Sequence, residues 1–441
     1  RTDQNPQERI EDARCDRHTS TVVDQREKQV LPDITHRGMS QSPGADDAVN
    51  LAEIERLLLT QPGAVEQVWT QLSRGGLPRI EPIAGDAGRS RVTFFYKAGS
   101  DVTGVRLNSV INAVQVDWPV EDFVRDYTLP MQRLGGSPIW RLSLDIPRDV
   151  QASYSFLVTR PGGTDRVTDP HNPRHLRGRA AEAVLSLDRV GDVSVLAPVP
   201  PSWLPAAEMR QVASDALSRP VSLDIHPAAG GTAASPVLIL YDAFNWGGRA
   251  PAWEIVHNLA ESGDIPPMHV VLIDQLDPGS DESLYADQSA FIVDELLPFL
   301  RAEYGWQLSR RDVVLGGASR RGLSAAITGL SRPAAIGAVL SLSGSFYWAP
   351  PGEAPEWLAR QLAEAPGEAP RFLLAAGSLE HVVTSTNQGH VMLETNRNMA
   401  GALNAAGYQT GLHIYPGGHD IAAWRLALAD SLQTLFAPAD Q

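Results

Sequence analysis

One stretch constrains this 441-residue chain more than any other: Val313-Val314-Leu315-Gly316-Gly317-Ala318-Ser319-Arg320-Arg321-Gly322-Leu323-Ser324-Ala325-Ala326. It reads as a buried strand, a glycine-tight turn and a small-residue helix, with one serine at the corner. A sharp strand-to-helix corner of this kind pushes a hydroxyl out of a sheet. The first backbone N–H groups of the helix then point at any oxyanion formed there. The corner therefore predicts a nucleophile at Ser319 and an oxyanion donor at the Arg320 N–H.

A serine nucleophile needs a base, and the base needs an acid to orient it and stabilise its charge. In this architecture the chain order is Ser, then Asp or Glu, then His. The strand-like run Arg371-Phe372-Leu373-Leu374-Ala375-Ala376-Gly377 leads to Glu380. A second run, Gly411-Leu412-His413-Ile414-Tyr415, leads through Pro416-Gly417-Gly418 to His419. Both side chains fall where open α/β sheets bind ligands, past the carboxyl ends of strands. Glu394 and Asp420 are rival acids. Glu394 lies in a helix that turns it to solvent or toward Arg397, and Asp420 is adjacent to His419, so Glu380 is preferred. His413 and His381 read as structural.

Around these motifs the periodicity divides the chain. Residues 1–46 are polar and aromatic-free, which predicts a disordered or loosely attached leader. Residues 47–200 read as two helices followed by an antiparallel β-sandwich of Ig-like, early-set type, with strands near 90–96, 102–108, 139–144 and 152–158. Residues 201–235 are a linker and joining segment behind the Pro-rich run Ala197 to Pro205, and one or two strands fit before Val237. From 236 to 438 strands and helices alternate, the pattern of an α/β-hydrolase domain with a mostly parallel sheet.

These residues resemble the enterochelin esterases, two-domain serine hydrolases that open ferric catecholate siderophore trilactones. The resemblance runs from about Val68 onward. It is carried by Gly76 to Pro82, Asp169-Pro170-His171-Asn172-Pro173, Tyr241 to Trp246, Glu295 to Pro298, Ser343 to Trp348, the elbow, and Gly417 to Asp420 with Trp424-Arg425. It implies Ser319 as nucleophile, His419 as general base and Glu380 as orienting acid. It also implies a second oxyanion N–H at Ala243, with Trp246, Arg321, Trp348, Trp424 and Arg425 about the substrate. Three positions depart from the family pattern. Arg321 replaces the first of two glycines after the nucleophile, and Ala243 replaces the glycine of an Asp-Gly corner. The loop Gly279 to Leu284 has no arginine.

The implied partner is a small-molecule ester, with a ferric siderophore among the candidates. A feruloyl-type esterase, an acyltransferase, and a catalytically silent fold that binds a ligand are the alternatives. A net charge of −15 argues against nucleic acid, which needs a basic surface. No apolar run is long enough to span a bilayer. No cofactor fingerprint or metal-ligand spacing appears; His171 and His175 sit in a Pro-flanked loop without thiol partners. The single cysteine, Cys15, excludes an intramolecular disulfide and inclines the location toward the cytoplasm, with an N-terminus open to processing.

Overall fold

The computed structural model describes residues 51–115, 127–178, 182–274, 283–382 and 389–438. The leader with Cys15, and Gly279 to Glu282, lie outside these. The first described elements are α1 (Leu51–Thr60) and α2 (Val65–Ser73). Their apolar faces, with Ile54, Leu58, Val68 and Leu72, close on Phe95, Leu134 and Ile139. Phe95 and Ile139 come from strands of the sheet that follows, and Leu134 from a short turn between two strands.

Nine strands build the sandwich: β1 (Arg79–Ile83), β2 (Asp86–Lys97), β3 (Gly104–Asn108), β4 (Thr128–Pro130), β5 (Gln132–Arg133), β6 (Ile139–Pro147), β7 (Gln151–Arg160), β8 (Gly163–Val167) and β9 (Ala183–Ser186). One sheet runs β1-β2-β6-β5 and the other β4-β3-β7-β8, with β9 also paired to β7. All their pairings are antiparallel. Val92, Phe94, Leu107, Tyr154, Phe156 and Val158 fill the space between the sheets, as inward positions of a sandwich must.

The second sheet has eight strands: β10 (Glu208–Ser214), β11 (Arg219–His226), β12 (Val237–Tyr241), β13 (His269–Ile273), β14 (Val313–Ala318), β15 (Ala338–Leu342), β16 (Arg371–Gly377) and β17 (Thr410–Tyr415). Their spatial order is β10-β11-β13-β12-β14-β15-β16-β17. The six strands from β13 to β17 along that order are parallel, while β10 and β11 add as an antiparallel edge. β10 and β11 are the two strands that segment 201–235 holds before Val237. The central strands are continuous apolar runs because both faces are covered. In β12, Val237, Ile239 and Tyr241 enter one core while Leu238 and Leu240 enter the other.

The covering helices are α3 (Ala252–Glu261), α4 (Ser283–Ala290), α5 (Leu297–Tyr304), α6 (Arg320–Ser331), α7 (Trp357–Arg360), α8 (Met392–Ala405) and α9 (Ile421–Phe436). α3 and α9 pack on one face, α5, α6 and α8 on the other. Between α4 and α5 the chain forms a π-type segment, Phe291–Leu296. Sandwich and sheet form one compact unit, and β7 packs directly against α9. That contact brings a sandwich strand to the end of the sheet where the candidate site lies.

Candidate active site

Three neighbouring strands end in strained, polar corners. Asp242 follows β12 with φ 75°, Ser319 follows β14 with φ 58°, and Ser343 follows β15 with φ 50°. A left-handed backbone at a non-glycine residue costs on the order of 1–3 kcal/mol, and such strain clusters at functional sites. The Ser319 corner is held by its own N–H donating to Leu342 O at 2.8 Å, and its carbonyl accepts from Ser345 N at 3.1 Å.

The glycines beneath it are dictated by contact. A Cβ on Gly317 would lie 2.7 Å from the Arg321 backbone and Cβ. The missing side chain at 317 is what lets Arg321 stand in the first turn of α6. The Arg321 Nε is buried with no acceptor among the described residues.

The serine, histidine and glutamate expected from sequence meet at this corner. His419 Nε2 lies 3.0 Å from Ser319 Oγ, and His419 Nδ1 lies 2.6 Å from Glu380 Oε1. A carboxylate only accepts hydrogen bonds, so the Nδ1 carries a proton and the Nε2 faces the serine as acceptor. Glu380 is 1% exposed, while the His419 side chain is 28% exposed. A buried carboxylate is costly unless its lone pairs are occupied. Here Glu380 Oε2 accepts from Ser343 Oγ at 2.8 Å and from Gly377 N at 2.6 Å.

Ser343 is the hub behind the glutamate. Its single proton goes to Glu380, so it accepts from the Tyr415 hydroxyl at 2.6 Å and from Trp424 Nε1 at 2.9 Å. Burial, and secondarily the Glu380 charge, push the Tyr415 hydroxyl well above its ordinary range, keeping it a neutral donor. The Trp424 ring meets His419 edge-on, centroids 4.8 Å apart. None of Ser343, Tyr415 or the role of the Trp424 N–H was found from sequence. A serine directly after a strand was the available signal.

The histidine loop is tied to the sandwich. A Cβ on Gly418 would meet Val110 at 2.9 Å, so the glycine permits close approach of the two layers. Asp420 caps α9 by accepting from Ala422 N, and it also accepts from the Ser153 hydroxyl and amide in β7. The sequence's rival acid is therefore an anchor. Glu394 is exposed at the start of α8.

From Ser153 the network continues to Glu182, which pairs with Arg166 and Arg249. Arg249 also donates to Asn245, and Asn245 to Asp242. The His419 loop and the Asp242 corner are so linked through the sandwich side. Between them opens a cavity of about 410 Å³, lined by His419, Trp424, Tyr127, Ser153, Arg166 and Arg249 among others. At the corner the positive φ belongs to Asp242, and Ala243 keeps φ −56°, so an alanine there is unstrained. Its N–H has no acceptor among the described residues.

The other expected substrate contacts divide. Trp424 lines the cavity. Trp246 and Trp348 are instead core side chains, 1% and 3% exposed, in the two cores flanking the sheet. Trp348 packs on Tyr285 and Trp357. Large rings gain most by full burial, and the exposed aromatic at the corner is Phe244. Arg425 lines a neighbouring cavity and bonds Gln151. Among the described residues no cluster of three or more His, Cys, Asp or Glu could hold a metal. No helix there is long and apolar enough to cross a membrane.

Residues 214–435 match the model of the Esterase family. The chain is 29% identical over 408 residues to an iron(III) salmochelin esterase of Escherichia coli O6:H1 (strain CFT073), covering 83% of this chain and 92% of that one. It is 27% identical over 346 residues to the iron(III) enterobactin esterase of Escherichia coli (strain K12), covering 70% and 82%. Among solved structures, the enterobactin esterase of Shigella flexneri superposes with a TM-score of 0.64 at 23% identity, over 85% of this chain and 99% of that one. That likeness supports the fold: a two-layer sandwich ahead of an α/β-hydrolase sheet.

Proposed function

The chain belongs to the Esterase family, with the enterochelin esterases among its relatives, and we propose that Ser319, His419 and Glu380 are the residues with which it cleaves esters. The observation that carries this is the unbroken line from Glu380 Oε1 through His419 to Ser319 Oγ, with contacts of 2.6 and 3.0 Å. Ser319 Oγ attacks the ester carbonyl as its proton passes to His419 Nε2. Glu380 stabilises the imidazolium through Nδ1. The tetrahedral oxyanion is held by the N–H groups of Arg320 and Ala243, each contributing about 2.7–4 kcal/mol to transition-state stabilisation. His419 then returns the proton to the departing alkoxide. Water, deprotonated by the same histidine, releases the acyl group as a carboxylic acid and regenerates the serine.

The substrate we assign is a small-molecule siderophore ester with catechol-type acyl groups, iron-loaded or free. Relatives named for enterobactin and salmochelin support this class. A cavity of about 410 Å³ beside His419, with Tyr127 and Trp424 in its lining, supports an aromatic acyl group in particular. Intact-mass spectrometry after treatment with a fluorophosphonate tests the serine. One adduct is expected on the wild type and none on Ser319→Ala or His419→Ala. Folded wild-type protein that takes no adduct would overturn the assignment.

A further inference from the structure

Beside the candidate nucleophile stands a second hydroxyl. Ser345 Oγ lies 3.4 Å from Ser319 Oγ, and Ser345 is 1% exposed. A hydroxyl so deeply buried needs a partner. Among the described residues, the Ser319 oxygen is the partner that Ser345 Oγ has.

The turn after β15 holds Ser345 in that place. Its N–H donates to Ser319 O at 3.1 Å, and its carbonyl accepts from Trp348 N at 3.0 Å. The carbonyl of Gly344, just before it, accepts from Asn396 Nδ2 at 2.9 Å. A Cβ on Gly344 would lie 2.5 Å from Ser341 Oγ, so the turn packs tightly against its own strand. Ser343 is tied to Glu380. The hydroxyl is thus presented by backbone fixed on both sides, as a group acting on a reacting atom must be.

The direction of the bond follows from the protons. His419 Nδ1 donates to Glu380, so Nε2 accepts and the Ser319 proton points at it. Ser319 Oγ has lone pairs left to offer, and Ser345 is the donor. At 3.4 Å the bond is long, against roughly 2.7–2.8 Å for a typical hydroxyl pair. A neutral hydroxyl oxygen is a modest acceptor. An oxygen gaining negative charge is a stronger one, and bonds to it shorten. Contacts stronger in the transition state than in the ground state are the ones that raise a rate.

We propose that Ser345 is a further catalytic residue, whose hydroxyl donates to Ser319 Oγ as charge builds on that oxygen. The inference rests on the esterase reading above and deepens it. In acylation the Oγ–carbon bond forms, the carbonyl π pair moves onto the oxyanion, and the Ser319 proton passes to His419 Nε2. Ser345 keeps its own proton throughout. In deacylation the Oγ–carbon bond breaks, Oγ leaves with the electron pair, and His419 returns a proton to it. The oxyanion donors act on the carbonyl oxygen; Ser345 acts on the attacking and departing one.

The test reads attack by Oγ alone, through the rate of labelling by a fluorophosphonate between pH 5 and 9. Loss of a hydrogen bond to a charged oxygen costs roughly ten- to a hundredfold in rate. Ser345→Ala should label at least tenfold more slowly than wild type on the high-pH plateau. Ser345 has no hydrogen bond to His419 or Glu380 among the described residues, so the pH of half-maximal labelling should not move. Ser345→Cys keeps a similar volume with a weaker donor and should fall between the two. If Ser345→Ala melts early, the cysteine variant carries the test. Labelling of the folded variants at the wild-type rate would overturn the proposal. So would a slower rate with a displaced pH midpoint, which would make Ser345 a prop for His419 instead. The esterase reading fails separately, when wild-type protein takes no adduct.

Discussion

The two walls of the candidate site are built on different principles. The sheet wall carries Ser319, Glu380 and His419 at the carboxyl ends of β14, β16 and β17, strands that lie close together in the sheet. Its polar atoms are almost all occupied: both oxygens of Glu380, the Ser343 hydroxyl and both nitrogens of His419 have partners. The sandwich wall, from Ser153, Arg166 and Glu182, is a chain of ion pairs with one end in solvent, where the Arg166 side chain is 55% exposed. A buried, fully satisfied network fixes geometry; a half-exposed one adapts to what it meets and is worth less per contact. Under the function proposed above, the difference gives chemistry to one wall and recognition to the other.

The sharpest way to break that division is to cut the sheet wall. Ser319→Ala and Glu380→Gln should each lower kcat on an activated aryl ester by about 10⁴-fold, with KM changed little. Comparable losses from Arg166→Gln would erase the distinction.

Next comes the joint between the walls. Asp420→Ala removes both the anchor to Ser153 and the cap of α9. A displaced His419 loop should cost roughly 10- to 100-fold in kcat. Loss of the cap should cost about 0.5–2 kcal/mol in stability. Ser153→Ala separates the two effects, since it spares the cap. A fall in kcat of a few-fold at an unchanged melting temperature is expected. No change in kcat would mean that the amide of residue 153, which the variant keeps, holds Asp420 and the loop by itself.

The same division explains what could be read from the sequence. The Ser319 corner was legible because strand, turn, serine and helix are contiguous, and Glu380 and His419, which meet it in space, each stand just past an apolar run. The mostly parallel sheet covered on both faces follows from alternation of strand and helix, whereas the order of its strands does not. The sandwich wall was not legible. Ser153 and Asp420 are 267 positions apart, and Arg249 and Glu182 are 67 apart, so their meeting exists only once the layers pack. The tryptophans failed for another reason. Trp246 and Trp348 flank the motifs that make the site, but sequence proximity does not say which face of the chain turns inward. At both positions the core took the ring, leaving Phe244 exposed at the corner. The apparent defect at Arg321 has a local remedy in Gly317, which a reading of the serine motif alone overlooks.

Within the sheet wall, Ser343 sharpens the comparison. Ser343→Ala deletes the donor to Glu380 Oε2 and the acceptor of the Trp424 N–H. A hydrogen bond to a charged group contributes about 1.5–3 kcal/mol. A drop in kcat of roughly tenfold, with KM within twofold of wild type, is expected from steady-state kinetics. A change confined to KM would place Ser343 on the recognition side instead.

The smallest effect is a matter of slope, and it lies in the sandwich. Asp169 accepts from the Tyr154 hydroxyl at 2.7 Å and from His171 N at 2.9 Å, deep under the loop that follows β8. Burial raises its carboxyl above the ordinary value, outweighing these bonds. A raised folded-state value means the folded protein holds this proton more tightly than the unfolded chain. The stability it contributes is complete below about pH 3.8, the unfolded value, and is lost as pH rises through the folded one. Asp169→Asn cannot titrate, so the difference in unfolding free energy between variant and wild type should drift in the variant's favour as pH increases across that window. Denaturant titrations at several pH values from 4 upward measure it. A flat difference would mean that the Tyr154 and His171 bonds fully offset burial, which would make the sandwich interior as well compensated as the glutamate of the sheet wall.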